Sequence, residues 1–172
     1  VYAIVEAPRG LPPGALVAGV TLSVAPWRRD SGSPLTGRKT LAYLDCLLAR
    51  REARASGHHD AVLVDGAGRP VECAASNLFW VLGGTLCTPA LDSGALPGVM
   101  RELVLEQAPT LGMACEQRCY TWDELGRADE VMVTNALAGV LGVRGVEGHV
   151  ELAAPGPMTE RLAEWIGELA GS

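Results

Sequence analysis

A single lysine, Lys39, is the residue best suited to nucleophilic chemistry on a carbonyl group. The other 13 of the 14 basic residues are arginines. Arginine stays protonated in proteins and cannot attack a carbonyl as a neutral amine, whereas lysine can once burial or a neighbouring charge lowers its pKa. A leftover surface lysine is the competing interpretation, and the residue type alone does not decide between them.

Glu72 is a candidate for charge stabilisation in the same reaction. It follows the apolar residue Val71 and precedes the small residues 73–76. A buried carboxylate can keep a pyridine nitrogen protonated, which makes the ring an electron sink. The alternative is a surface glutamate at the end of a strand.

Two segments have the composition of an anion-binding site. Gly98 opens a predicted helix, where the free N–H groups of Val99 and Met100 would suit a phosphate. Asn135 and Ala136 end a predicted strand, and their backbone could complete the phosphate site. Each signal is weak alone. The sequence contains no Walker-type loop and no Gly-x-Gly-x-x-Gly motif, so nucleotide binding has little support.

Hydrolytic and metal chemistry find little support. The five cysteines contain no Cys-x-x-Cys spacing, so we expect buried or half-buried thiols in a reducing cytoplasm and no metal site. The three histidines are scattered, and no Gly-x-Ser-x-Gly motif accompanies them, which argues against a serine hydrolase.

Composition bounds the remaining possibilities. The chain has 172 residues, a net charge of −6 and 48% hydrophobic residues. This length fits one domain with a sizeable core, and the acidic balance indicates neither nucleic acid nor a membrane surface as partner. No apolar run reaches the roughly 18 residues of a membrane span. We expect a cytoplasmic protein with a small-molecule substrate.

Hydrophobic periodicity and turn residues predict an α+β fold with a mixed sheet. The main domain is expected over residues 16–172, after a strand at 1–8 and a Pro- and Gly-rich linker at 9–15. The predicted strands are 17–24, 61–64, 77–82, 85–88, 130–134 and 139–143. Helices are predicted at 40–55, 99–108 and 158–169, which places Lys39 at the start of the first, and a capping box predicts a short helix after Thr121.

Several motifs, in this order, resemble the class IV aminotransferase family, the fold-type IV pyridoxal phosphate enzymes. The resemblance runs from about residue 16 to residue 143. Its motifs are Leu35-x-Gly37-x-Lys39-x-Leu41, Glu72 followed by Asn77-Leu78-Phe79, Thr88-Pro89, Leu96-Pro97-Gly98-Val99-Met100-Arg101, Ala128-Asp129-Glu130-Val131 and Thr134-Asn135-Ala136-Leu137. The resemblance implies a pyridoxal 5′-phosphate cofactor, a pseudo-barrel sheet surrounded by helices, and a homodimer.

The resemblance also implies a role for each candidate. Lys39 matches the lysine that carries the cofactor as a Schiff base, and Glu72 the carboxylate that pairs with the pyridine nitrogen. Gly98, Val99 and Met100 match the helix entrance that holds the phosphate. Asn135 and Ala136 match the second phosphate-binding segment, and Tyr43 lies near the position of a tyrosine that faces the ring hydroxyl.

Three details within the family are similar to the 4-amino-4-deoxychorismate lyases. They are Trp80 after Asn-Leu-Phe, Met100 where aminotransferases usually have threonine, and Ala136 where many have serine or threonine. Ala42 and Tyr43 depart from the lyase pattern. We therefore expect a lyase that forms p-aminobenzoate, as in folate biosynthesis. A branched-chain or D-amino-acid aminotransferase and a non-catalytic remnant of the fold are the alternatives.

The resemblance further implies a smaller N-terminal domain, of which residues 1–8 would be the last strand. In the family, that domain supplies an arginine to the cofactor phosphate and part of the substrate wall. We expect the 172 residues alone to hold an incomplete site.

Overall fold

The strands of this computed structural model form one mixed sheet. The structure describes residues 14–30 and 32–171. Within these residues the strands are β1 (Val20–Arg28), β2 (Asp60–Val64), β3 (Pro70–Cys73), β4 (Asn77–Leu82), β5 (Thr85–Pro89), β6 (Ala114–Arg118), β7 (Glu130–Asn135), β8 (Gly139–Val146) and β9 (Val150–Glu151). Their order is β3-β2-β1-β8-β7-β4-β5-β6, with β9 paired to β8. Parallel and antiparallel pairs both occur, as the sequence predicted.

Five α-helices accompany the sheet in the described part of the chain. They are α1 (Ala15–Ala18), α2 (Leu44–Ala55), α3 (Val99–Gln107), α4 (Trp122–Leu125) and α5 (Pro157–Gly171). The α+β class is therefore confirmed. In the described ranges, no helix has the length and apolar character needed to cross a membrane.

The link between β3 and β4 requires the sheet to curl. The two strands are first and sixth in the sheet order but consecutive along the chain. In a flat sheet, five strand spacings would separate them by about 24 Å. Four residue steps, from Cys73 to Asn77, span at most about 14 Å. The sheet must therefore bend until β3 approaches β4, and residues 73–77 run along the resulting seam.

Both faces of the central strands are buried. Side chains along a strand point alternately to opposite faces, and on β4 the two faces enter different hydrophobic clusters. Leu78 and Trp80 belong to a cluster inside the curl, where Trp80 meets Tyr120 edge to face at 4.5 Å between ring centroids. Phe79 packs on the other face, in a cluster with Val104 of α3 and with residues of α5. The strand is therefore fixed from both sides.

The predicted helix 40–55 starts later than expected. Helix α2 begins at Leu44, so Lys39 lies in the preceding loop and not at a helix start. The reason is a tertiary contact, because the Tyr43 hydroxyl donates a hydrogen bond to the carbonyl oxygen of Ala74. Tyr43 occupies the N-cap position, and its backbone angles, φ −118° and ψ 10°, are not helical.

The predicted strand 17–24 was also misplaced. The short helix α1 occupies Ala15–Ala18, including the last residue of the expected linker, and β1 runs from Val20 to Arg28, four residues beyond the predicted end. Pro26 is tolerated within β1 because the pairing register with β2 shifts between Val24 and Arg28. The expected strand 1–8 and most of the linker lie outside the described residues.

Other elements match their predictions closely. Strand β4 has the predicted bounds, α3 begins at Val99 directly after Gly98, and the capping box between Thr121 and Glu124 is formed. Strand β6 was not predicted, because its residues are all exposed or half-buried and give no continuous apolar signal. All five cysteines are free and are buried or half-buried, as expected.

Candidate active site

Glu72 lies buried on β3 with a partner for each carboxylate oxygen. The Leu96 N–H donates to Oε2 at 2.9 Å, and the Arg29 guanidinium pairs with Oε1. Burial raises the pKa of Glu72, while the Leu96 N–H and Arg29 act in the opposite direction. Each oxygen of a carboxylate can accept a second hydrogen bond. The group can therefore accept a further donor, such as a protonated ring nitrogen.

Arg29 is a residue that the sequence did not single out. It lies 43 positions before Glu72, and its side chain also donates to the carbonyl oxygen of Gly94 at 3.4 Å. The only local signal is its place at the end of an apolar strand, next to another arginine. Arg29 compensates the charge of a buried carboxylate, which otherwise carries a large desolvation penalty.

Tyr43 faces the seam from the start of α2. Burial is the main cause that raises the pKa of Tyr43 to about 12. The phenol therefore remains protonated at neutral pH and donates to the Ala74 carbonyl oxygen, two residues from Glu72. The structure thus places Tyr43 beside the segment that carries Glu72, as a hydrogen-bond donor.

The two predicted anion-binding segments are joined by Asn77. Its Nδ2 donates to both the carbonyl oxygen and Oγ1 of Thr134, each at 2.9 Å. A Cβ on Gly98 would lie only 2.4 Å from Asn77 Oδ1. Glycine is therefore required at the entrance of α3, because any side chain would collide with the residue that holds the end of β7.

At the entrance of α3, the first N–H groups have no acceptor within the helix. Val99 and Met100 provide two of them, and no side chain caps this end. Across the Asn77 contact, the turn after Asn135 has Ala136 at an exposed position. Backbone donors from two segments are thus held together by one buried amide side chain, an arrangement suited to a phosphate.

Lys39 is exposed in the loop before α2. In the described part of the chain it takes part in no hydrogen bond or ion pair. The loop packs against the segment after β5, since a Cβ on Gly37 would lie 3.6 Å from the Ala95 carbonyl oxygen and one on Gly94 would lie 2.6 Å from Thr36 Cγ2. The residue after Ala95 is Leu96, whose N–H donates to Glu72. The segment 94–96 therefore contacts both the Lys39 loop and Glu72.

Two further residues turn away from this site. Trp80 is fully buried in the core and presents no surface to a substrate. Arg101, although close to the entrance of α3, is buried and donates to the Pro89 carbonyl oxygen at 3.0 Å and to Gln117 at 2.8 Å. It ties α3 to β5 and β6 and does not reach a ligand at the helix entrance.

A cavity of about 730 Å³ lies elsewhere, along β8 and β9. Its lining includes His58 and Glu147, whose Nε2 and Oε2 atoms lie 3.6 Å apart. None of the residues predicted for the active site lines it.

The chain matches one protein family and curated members of it. The family described as amino-transferase class IV matches residues 3–146. The branched-chain-amino-acid aminotransferase of Escherichia coli K12 is 33% identical over 153 residues, which cover 87% of this chain and 50% of that protein. The chain thus spans about half the length of the curated relatives it matches.

Solved structures show the same fold. The crystal structure of the Escherichia coli branched-chain amino acid aminotransferase has a TM-score of 0.86 at 32% identity, covering 92% of this chain and 53% of that one. A 4-amino-4-deoxychorismate lyase from Pseudomonas aeruginosa has a TM-score of 0.85 at 34% identity, covering 95% and 60%.

The curled sheet and the site along its seam thus define a fold-type IV domain. The chain belongs to the class IV aminotransferase family. Members of this family use pyridoxal phosphate. The residues present fit that cofactor, because Gly98 leaves the entrance of α3 open beside Asn77 and Glu72 is a buried carboxylate with free acceptor capacity.

Proposed function

We propose that this chain binds pyridoxal phosphate and, with it, converts 4-amino-4-deoxychorismate into p-aminobenzoate and pyruvate. The observation that carries the proposal is the pair Met100 and Ala136, which lie at the two anion-binding segments and have the lyase-like identities. Trp80, the third lyase-like residue, lies in the core and does not reach the site. The similarity to the Pseudomonas aeruginosa lyase supports the same activity.

A branched-chain aminotransferase is the second candidate. The curated relatives favour it, since several carry that name at 31–38% identity. Both activities begin with a proton removed from the amine-bearing carbon of the substrate, and they differ in where the electrons then go. We also propose, from the family, that the protein acts as a homodimer on a small-molecule substrate.

We further propose that residues of this chain take the roles that the resemblance to the family implies. Lys39 would hold the cofactor covalently, and Glu72 would accept a hydrogen bond from its ring nitrogen. The N–H groups of Val99 and Met100, together with the backbone of the Asn135-Ala136 segment, would hold the phosphate. When bound, pyridoxal phosphate supplies an electron sink for the pair released at the amine-bearing carbon.

Lys39 then has a second task in the lyase reaction. Its Nζ, as a free amine, accepts the proton from the amine-bearing carbon of the substrate. Cleavage of the ether bond leaves an aromatic ring, and the enolpyruvyl group departs as pyruvate after gaining one proton. The atoms of the two products add up to those of the substrate, so no oxidant or reductant is required. Tyr43, held protonated, cannot replace Lys39 as the base.

A product assay separates the two candidates. The chain is incubated with pyridoxal phosphate and 4-amino-4-deoxychorismate, and p-aminobenzoate and pyruvate are quantified. A parallel reaction contains leucine and 2-oxoglutarate, and glutamate is quantified. Equal amounts of p-aminobenzoate and pyruvate, lost in Lys39→Ala, support the lyase. Glutamate without p-aminobenzoate establishes the aminotransferase and refutes the lyase. If the chain forms neither, a borohydride-stable cofactor adduct on the Lys39 peptide tests the cofactor assignment alone.

A further inference from the structure

A buried carboxylate lies behind the seam, on the side opposite Glu72. Asp60, at the start of β2, is fully buried. Its Oδ1 accepts the Ala61 N–H at 2.9 Å, and its Oδ2 accepts the Ala75 N–H at 3.2 Å. Oδ2 also accepts the hydroxyl of Ser76 at 3.3 Å. None of the roles proposed above uses this carboxylate.

Ser76 connects Asp60 to the second anion-binding segment. The Asn135 Nδ2 donates to Ser76 Oγ at 3.0 Å. On its other side, Asn135 Oδ1 accepts the N–H groups of Leu137 at 3.0 Å and Ala138 at 2.8 Å. Three side chains therefore form a continuous row of hydrogen bonds from the interior of the sheet to the turn after β7.

The direction of every hydrogen bond in this row is fixed by its two ends. At one end, the two backbone N–H groups are donors only, so the amide of Asn135 must present its oxygen to them. Its nitrogen then faces Ser76, whose oxygen must accept. The single hydroxyl proton of Ser76 is left for Asp60, and both oxygens of Asp60 already accept backbone N–H groups. No member can rotate without breaking a partner's bond.

The row determines which donor of the turn remains available. Leu137 and Ala138 have their N–H groups committed to Asn135 Oδ1. The N–H of Ala136, at an exposed position between them and Asn135, has no acceptor among the described residues. The turn thus keeps the N–H of Ala136 free. The side-chain amide of Asn135 fixes the orientation of this turn, and Ser76 fixes the orientation of that amide.

We propose that Asp60 and Ser76 are positioning residues that orient Asn135 and thereby aim the free N–H of Ala136 at an oxyanion of the ligand. This inference rests on the proposed function for the identity of the ligand. The oxyanion is either the phosphate of the cofactor or the carboxylate of the substrate. The two residues act through Asn135 and do not contact the ligand themselves.

The test removes the hydroxyl of Ser76 and compares the effect with that of removing another buried hydroxyl elsewhere in the chain. Ser76→Ala removes the central member of the row, and Ser76→Thr retains the hydroxyl. Thr159→Val is the control, because Thr159 is also buried and its hydroxyl also donates to a buried carboxylate, that of Glu130 at 2.8 Å. Unfolding temperature is measured for all three, so that a general loss of stability is recognised.

The first readout is independent of any reaction. Hydrogen exchange is followed in the full chain without cofactor at the amides of Leu137 and Ala138. We expect exchange about tenfold faster in Ser76→Ala, because the Asn135 oxygen is no longer held in place, and parental exchange in Ser76→Thr and Thr159→Val. Unchanged exchange in Ser76→Ala overturns the proposal, as does an equal increase in Thr159→Val.

The second readout identifies the oxyanion. Dissociation constants are measured for pyridoxal phosphate and for p-aminobenzoate, which carries a carboxylate and no phosphate. A tenfold weakening of pyridoxal phosphate in Ser76→Ala assigns the turn to the phosphate, and a tenfold weakening of p-aminobenzoate assigns it to the carboxylate. Parental affinity for both overturns the proposal. If the parent chain binds neither compound, the proposed function fails, and the exchange data alone decide whether the row orients the turn.

Discussion

Replacing Gly98 by alanine tests how the two anion-binding segments are held together. The new Cβ would lie 2.4 Å from Asn77 Oδ1, and Asn77 must retreat by about 1 Å to reach an ordinary contact of 3.4 Å. A retreat of this size stretches both 2.9 Å hydrogen bonds from Asn77 to Thr134 beyond useful length. Each is worth about 1 kcal/mol net, so we expect a loss of about 2 kcal/mol in the free energy of unfolding.

The same displacement separates the entrance of α3 from the end of β7. We therefore expect the dissociation constant for pyridoxal phosphate to rise by about tenfold or more, because phosphate binding depends on donors from both segments. Denaturant unfolding measures the stability, and a spectroscopic titration with the cofactor measures the affinity. Gly66→Ala is the matched control, because a Cβ at Gly66 meets nothing within 4 Å.

A double mutant distinguishes the collision from other effects of the added methyl group. In an Asn77→Ala background, the oxygen that the Cβ would meet is gone. The additional cost of Gly98→Ala should then fall to within about 0.5 kcal/mol of zero. If Gly98→Ala costs as much in the Asn77→Ala background as in the parent, or costs nothing in the parent, the reasoning from this contact is refuted.

Four further changes probe the individual residues. Lys39→Ala should abolish borohydride-stable cofactor attachment with an unchanged circular dichroism spectrum, because the chain has no second lysine; label on the variant would contradict the assignment. Glu72→Gln should still bind cofactor but lower turnover by about 100-fold, and unchanged turnover would make Glu72 structural. Tyr43→Phe should remove an alkaline loss of stability: because the folded pKa of Tyr43 is raised to about 12, its contribution is complete below pH 10 and disappears as the pH rises to 12, which unfolding midpoints across that range would show. Met100→Pro removes one N–H while proline is tolerated in the first turn of a helix, so affinity should fall for pyridoxal phosphate and not for pyridoxal; equal affinity for pyridoxal phosphate would place the phosphate elsewhere.

Local sequence signals predicted the elements that depend on nearby residues. Gly98 before an apolar stretch gave the start of α3, and the spacing of Thr121 and Glu124 gave the capping box. Strand β4 was correct because its apolar character is continuous and the two-residue turn Gly83-Gly84 ends it. In each of these cases, the determining contacts lie within a few positions along the chain.

The features that the sequence did not predict depend on contacts between distant residues. Arg29 pairs with Glu72 across 43 positions, and Asp60 reaches Asn135 only through Ser76. The predicted helix extended too far before Leu44 because the hydroxyl of Tyr43 binds the backbone of Ala74, which lies 31 residues later in the link after β3. The roles of Lys39, Glu72 and the phosphate-binding segments remain predictions, since they concern a ligand and not the packing of the chain.

The seam at residues 73–77 makes the accuracy of the site a property of the whole sheet. Each of the five strand pairs between β3 and β4 has its own twist and spacing. Small deviations in these pairs add up along the sheet and change the distance between β3 and β4. One of those pairs joins Val20 to Val143, so β3 is placed beside β4 only after residues more than 100 positions apart have paired. A fragment lacking β8 therefore contains the residues of the site without its geometry, and a substitution anywhere along the five pairs can shift its two halves relative to each other.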